Sequence, residues 1–308
     1  MEASRARSVS SAVDAPAWFQ WSVFPLVMAG AVGGAMSLTA RGMAPSIAVP
    51  LCQVAAVVCV ALAERVYPHH PSWNLSRADV RVDAAHTLTI TVGVALATPV
   101  VVGAAVVVGG WLSRTVGATL WPTHWSLLAQ LVVALVIGEL PGYGVHRLEH
   151  EWDGLWRFHA VHHSAPRLYW LNAGRFHPID TLLTFVPSYG LLVLLGCPEI
   201  VLGLFTLVTA VHGIFQHANI QLRCGPLNWF FSMAELHRWH HSKTIAEANT
   251  NYGQTVSVWD TAFGTRFLPA DRLPPKDVGI ADLPSFPMSW AAQIASPFRW
   301  RAIKGGGR

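Results

Sequence analysis

Histidine is the residue type whose number and spacing could do chemistry in this chain. The stretch HRLEHEWDGLWRFHAVHH holds His146, His150, His159, His162 and His163, and HRWHHS repeats the pattern with His237, His240 and His241. On a helix, offsets of three and four place side chains on one face, about 5–6 Å apart at Cβ, so neighbouring imidazoles can meet on one ion without backbone strain. Two such faces brought together make a cage of neutral nitrogen donors, which suits Fe, Zn, Cu or Ni better than Mg or Ca. Eight clustered histidines exceed what one ion takes from protein while keeping an open position, so a dinuclear site is expected. Mere packing would leave each unsatisfied imidazole with a cost of about 1–3 kcal/mol, which coordination removes for all of them together. His69, His70, His86 and His124 follow no ligand spacing and read as ordinary histidines.

The elements that must position these residues are apolar helices. Of 308 residues only 12% are charged and 52% are hydrophobic, and the mean hydropathy is +0.38, a membrane composition. The net charge of +4 comes without a basic run, so nucleic acid is not an expected partner. Cys52, Cys59, Cys197 and Cys224 form no CxxC pair and read as small buried hydrophobes in a reducing context. Residues 1–17 are polar. Apolar runs follow at about 18–40, 45–63, 88–112 and 126–145, the last leading straight into His146. Two shorter runs, 179–195 and 200–215, read as tilted spans or a hairpin packed on protein.

Basic residues set the orientation. Nineteen of the 21 Lys and Arg fall on the side that holds the N-terminus, residues 64–84, residues 144–178 and everything after 217, while Arg41 and Arg114 fall on the other. Since Lys and Arg favour the cytoplasm, this places both termini and every clustered histidine there. The expected fold is all-α: an integral-membrane bundle of about four spans plus a helical hairpin, under a cytoplasmic histidine-rich helical cap. Expected divisions are 1–17, 18–130 as transmembrane helices, 131–268 as the catalytic region and 269–308 as a membrane-surface tail. That tail mixes Trp290, Ile294, Phe298 and Trp300 with Arg299, Arg301 and Lys304, which suits the headgroup level.

Other catalytic templates are missing. There is no GxSxG, GxxxxGK[ST], HExxH or GxGxxG, so reducing equivalents must come from a separate protein. No second Glu-x-x-His pair matches Glu149, Glu151 and Asp153, so nitrogen ligation dominates over the carboxylate-bridged pattern.

With HxxxH, HxxHH and a second HxxHH in this order between apolar spans, the chain resembles the fatty acid hydroxylase and sterol desaturase superfamily of membrane di-iron oxygenases. LWRFHAVHHSAPRLYWLNAGRFHP, FQHANI and NYGQTVSVWDTAFGT strengthen the resemblance, which covers about residues 130–268. It implies two iron ions held by His146, His150, His159, His162, His163, His237, His240 and His241, with His217 as a further ligand. It makes His177 and His212 ligands or hydrogen-bond partners of ligands. Asn251, Tyr252, Trp259 and Asp260 match family text whose use is structural or to orient imidazoles, with Asn251 and Asp260 also candidates to touch the metal. The implied chemistry is O2 activation with two external electrons from a ferredoxin or cytochrome b5 type of donor with its reductase, and attack on a C–H bond of a lipid substrate. Hydroxylation is the leading expectation and desaturation on the same site the alternative. A metal transporter or sensor is the distant rival, disfavoured because the histidines cluster at span ends. Large apolar residues of 182–195 and 201–215 are candidates to line the lipid channel.

Overall fold

A computed structural model describes residues 13–117 and 120–305; most of the polar N-terminal segment, with Glu2, Arg5 and Arg7, lies outside the described residues, as does most of the terminal Gly run. Helices carry the architecture: α1 (Ala17–Ala40), α2 (Pro45–Val66), α3 (Val80–Val116), α4 (Leu127–Glu151), α5 (Asp153–His163), α6 (Pro178–Leu194), α7 (Glu199–His217), α8 (Ala234–His240) and four short helices, α9 (Ile245–Ala248), α10 (Val258–Ala262), α11 (Trp290–Ala295) and α12 (Trp300–Gly305). Among the described residues only isolated β-bridges occur and no strand. The protein is all-helical.

Five helices, α1, α2, α3, α4 and α7, are long and apolar enough to cross a bilayer, and α6 is a shorter apolar helix of 17 residues. Leu51, Val54, Val58 and Leu62 on α2 and Leu88, Leu96, Val100 and Val107 on α3 are more than half exposed. In water such stripes would be aggregation sites, whereas against lipid tails they are at home. This is a multi-pass membrane protein.

Local signals explain the boundaries. Pro45 begins α2 and Pro178 begins α6, where the missing N–H costs nothing. Ser126 caps α4 by accepting from the Ala129 amide at 3.3 Å. α3 runs 37 residues and stops at Gly117, whose φ of 69° is left-handed. It extends beyond the apolar run 88–112 because its first turns are polar for a purpose: Asp83 accepts from Arg175 Nε and from the Tyr169 hydroxyl, while Asp79, just before the helix, pairs with Arg167 at 2.6 Å. All four charged groups are buried, so each pair needs its partner, and together they clamp residues 164–177 onto α3.

The bundle core is built from α1, α2, α4, α6 and α7, around residues such as Ala35, Val60, Ala134, Leu192, Leu204 and Phe215. The C-terminal segment folds back on the cap: Trp300 and Phe286 are buried with Ala160 and Val161 of α5, the Trp300 indole donates to Asp153, and Gln293 bonds both His86 and Ser164. Phe298 stays 71% exposed beside this contact.

Candidate metal centre

One residue, Trp152, separates α4 from α5, and the turn there folds the HxxxH face of α4 against the HxxHH face of α5. Gly154 permits it, since a Cβ at that position would come within 2.7 Å of the Trp152 indole. α7 delivers His217 at its last residue, and α8 delivers His237, His240 and, at its end, His241.

Nine histidines form two adjoining groups. One nitrogen from each of His146, His150, His159, His163 and His240 lies within 4.8 Å of the others in its set, and the same holds for His162, His217, His237 and His241. The sets share a wall, with the His163 and His241 rings 4.5 Å apart. Within them His146 Nε2 is 3.1 Å from His159 Nε2, His217 Nε2 is 2.9 Å from His237 Nε2, and His237 Nε2 is 3.1 Å from His241 Nε2. An ion with metal–nitrogen bonds of about 2.1 Å would hold ligand atoms about 3–4.2 Å apart.

The outward-facing nitrogens say what the inward ones carry. Nδ1 donates from His146 to the Tyr252 carbonyl at 2.7 Å, from His240 to the Thr250 carbonyl at 2.8 Å and from His162 to the Arg175 carbonyl at 3.3 Å. His159 Nδ1 donates to Asp180 Oδ2 at 3.0 Å, His217 Nδ1 to Asn172 at 2.9 Å and His150 Nδ1 to Asn249 at 3.2 Å. A neutral imidazole that donates from one nitrogen offers a lone pair on the other. Between His146 and His159 a lone pair is therefore aimed at a lone pair, and the buried Nε2 atoms of His150, His163 and His240, like the buried Nδ1 atoms of His237 and His241, have no partner at all. A cation between them resolves the conflict, so the residues fit a metal pair. Burial, reinforced by the neighbouring rings, pushes His159, His162, His163, His237, His240 and His241 well below the ordinary histidine range, which keeps them neutral and able to ligate.

The remaining sequence candidates fall outside both groups. His177 caps α6: its Nδ1 accepts from the Ile179 amide at 3.1 Å and its Nε2 donates to the Ile294 carbonyl at 3.2 Å. His212 faces the core, 5.7 Å from the Phe24 ring and 5.9 Å from Phe231. Asn251, at a left-handed φ of 55°, ties the Leu236 and Phe267 carbonyls together. Asp260 accepts from the amides of Tyr252 and Gly253 at 2.8 Å each, so it holds the carbonyl that orients His146. Gly253 is required there, since a Cβ would meet Val256 O at 2.4 Å. Trp259 donates to the Val136 carbonyl at 2.9 Å and fixes the same loop to α4.

Asp180, Glu149, Asn172 and Asn249 were not singled out as site residues from the sequence. Asp180 follows a His-Pro pair in the first turn of an apolar helix, a place that reads as capping, and only the fold carries it to His159. Glu149 Oε2 stands 3.5 Å from the same His159 nitrogen, completely buried.

A cavity of about 510 Å³ opens at the level of the spans, with His146, His159, His162, His217 and His237 at its inner end. Its walls are Val57 of α2, Ile90 and Val94 of α3, Thr181 and Thr184 of α6, and Thr206, Thr209 and Ile214 of α7. Of the large apolar residues of 182–195 and 201–215 expected to line it, Ile214 alone does so among the described residues. Leu192, Leu204, Leu207 and Phe215 are buried in the bundle core, because α6 packs on α3 and α4 while α7 packs on α2, α1 and α4, and the face left to the cavity is otherwise small and threonine-rich. Thr206 donates to Leu202 O at 3.0 Å and Thr209 to Thr206 O at 3.1 Å within α7, while the Thr181 hydroxyl has no partner.

Comparison with known proteins decides the family. The fatty acid hydroxylase pattern matches residues 131–265. Over 250 residues, 80% of this chain and 75% of the relative, the sequence is 40% identical to ornithine lipid hydroxylase OlsE of Rhizobium tropici. The chain belongs to the fatty acid hydroxylase family. It is 30% identical to methylsterol monooxygenase 1 of Rattus norvegicus over 146 residues, 47% of this chain and 48% of that one. It is 27% identical to alkylglycerol monooxygenase of Xenopus tropicalis over 127 residues, 41% of this chain and 28% of that one. No solved structure matches. As a member of this family the protein is an oxidoreductase that hydroxylates a lipid.

Proposed function

We propose that this fatty acid hydroxylase is a di-iron monooxygenase whose metal ligands are His146, His150, His159, His163 and His240 for one ion and His162, His217, His237 and His241 for the other. The observation that carries the reading is the convergence of nine neutral imidazoles, as two adjoining sets, at the inner end of a lipid-sized cavity. Bound there, a pair of iron ions supplies the activation of O2 with two external electrons that hydroxylation of a C–H bond requires.

The chain's own residues hold and orient. Carbonyls of Tyr252, Thr250 and Arg175 and the side chains of Asp180, Asn172 and Asn249 fix which nitrogen faces inward on six of the nine rings, those of His146, His240, His162, His159, His217 and His150, and so keep the cage open to a cation without rotation of these rings. Val57, Ile90, Val94 and Ile214 give the substrate an apolar bed and keep bulk water from the inner end. The cap with its histidines and both termini faces the cytoplasm, where a one-electron donor of the ferredoxin or cytochrome b5 type delivers electrons.

The substrate class best supported is a polar membrane lipid of the ornithine-lipid kind, since that relative matches along most of both chains. Hydroxylation is favoured over desaturation because the three relatives compared are hydroxylases or monooxygenases. Lipids of a host with the gene, without it, and with His237→Ala in its place test the reading by mass spectrometry. The expected result is a lipid one oxygen atom heavier that disappears in the last two. A product lacking two hydrogens, or no difference between the three, contradicts it.

A further inference from the structure

The two histidine groups are reached from two sides that share no lining residue. The membrane-level cavity touches His146, His159, His162, His217 and His237. A smaller pocket of about 200 Å³ on the cap touches only His150 and His163, and its other walls come from α5 and from the loops around residues 242–249 and 279–282. Of the nine histidines, His150 alone is not fully buried, and it lies on this side. Trp156 lies beside both His150 and His163 in the pocket wall. Its indole is 5.2 Å from the His150 ring and 5.3 Å from the His163 ring, centroid to centroid.

We propose that Trp156 is the relay through which electrons reach the metal pair, from a one-electron carrier protein that docks over the cap-side pocket. This rests on the di-iron reading above. Each of two carrier molecules, an iron–sulfur or haem protein, gives up one electron, and each of the two metal ions accepts one; Trp156 undergoes no net change. The substrate fills the other approach, so a carrier arriving on the cap does not compete with lipid. Electron tunnelling weakens steeply with distance, and no other ring among the described residues contacts both exposed-side ligands while lining the pocket. Trp156 also packs beside Ile280 and Ile303, so the test must separate a relay from a packing residue.

Iron-loaded full-length protein in nanodiscs is mixed with a reduced iron–sulfur ferredoxin, and the loss of the ferric absorbance is timed; the same protein is reduced with dithionite, which needs no docking. Trp156→Leu is expected to slow reduction by ferredoxin about tenfold, a barrier about 1.4 kcal/mol higher, while iron content, ferric spectrum and dithionite rate stay as in the wild type. Trp156→Phe, which keeps a ring beside both ligands in the pocket wall, is expected to retain most of the rate. Ferredoxin reduction of Trp156→Leu at the wild-type rate, or equal slowing by both reductants, overturns the proposal. Should Trp156→Leu lose iron, Ala281→Arg decides, because Ala281 is an exposed residue of the pocket rim that touches no ligand. A fall in its bimolecular rate with ferredoxin alone supports docking there, and an unchanged rate overturns it. If the wild-type protein takes up no iron, the di-iron reading itself fails; if it takes up iron and oxidises lipid after dithionite reduction, only the relay is at stake.

Discussion

Replacing Asp180 by leucine removes the acceptor that orients His159 while leaving all nine ligands in place. The carboxylate accepts the His159 Nδ1 proton at 3.0 Å and is 1% exposed, and leucine offers no acceptor in its place. Loss of such a partner costs about 10–100-fold in metal affinity, or about 1.4–2.7 kcal/mol. Glu149 Oε2, 3.5 Å from the same nitrogen and without a hydrogen-bond partner of its own, is placed to take over part of the bond. Asp180→Leu alone is therefore expected near the tenfold end and Asp180→Leu with Glu149→Gln near the hundredfold end. Of the two histidine groups His159 belongs to the five-membered one alone, and its further grouping with Glu149 and Asp180 lies on the same side, so the effect should fall on one ion. The assay is iron per chain after dialysis against a graded series of chelator, with circular dichroism to show that the helices persist. In the double variant one iron is lost at chelator levels that strip neither from the wild type, and the second iron is retained. A double variant that keeps both irons as firmly as the wild type refutes the reasoning, and one that loses both together refutes the division into two groups.

Two further outcomes follow from the same geometry. Six histidines outside the spans are held below their ordinary range by burial, so the unfolded chain takes up protons that the folded one refuses. The stability this contributes is fully present above about pH 6.5 and is lost as pH falls, by up to about 1.4 kcal/mol per pH unit for each such group; melting temperatures of metal-free protein that stay flat from about pH 7 to about pH 5 would contradict it. The proposed topology is checked with single cysteines in a background lacking the native four and an impermeant maleimide on intact cells: replacements at the exposed positions Arg41 and Gly117 react from outside, those at Ser76 and Lys276 only after lysis, and labelling of Lys276→Cys on intact cells would put the cap on the wrong side.

Eight of the nine histidines were legible because ligand spacing on a helix is a local property, His217 only through the family resemblance, and the convergence of α4 and α5 follows from a one-residue connection. Their partition was not. His162 and His163 enter different groups, as do His240 and His241, since consecutive residues on a helix point about 100° apart and only packing decides which centre each faces. The spans could be read from composition, yet α3 outran its apolar run because Asp79 and Asp83 are matched by Arg167 and Arg175 almost a hundred residues later. The same separation hid Asp180, Asn172 and Asn249, which lie 21, 45 and 99 residues from the histidines they orient. His177, expected as a ligand or as a hydrogen-bond partner of one, stands before Pro178 as the cap of α6.

The central claim is that nine histidines form two adjacent metal sites. Iron per chain and the magnetic coupling between the ions, measured on protein loaded anaerobically with ferrous iron and then oxidised, test it most directly. Two irons per chain with a coupled diferric signature, falling to one uncoupled iron in the variant lacking both His217 and His237, is the predicted result. A single iron in the wild type, or two irons that show no coupling, would contradict it.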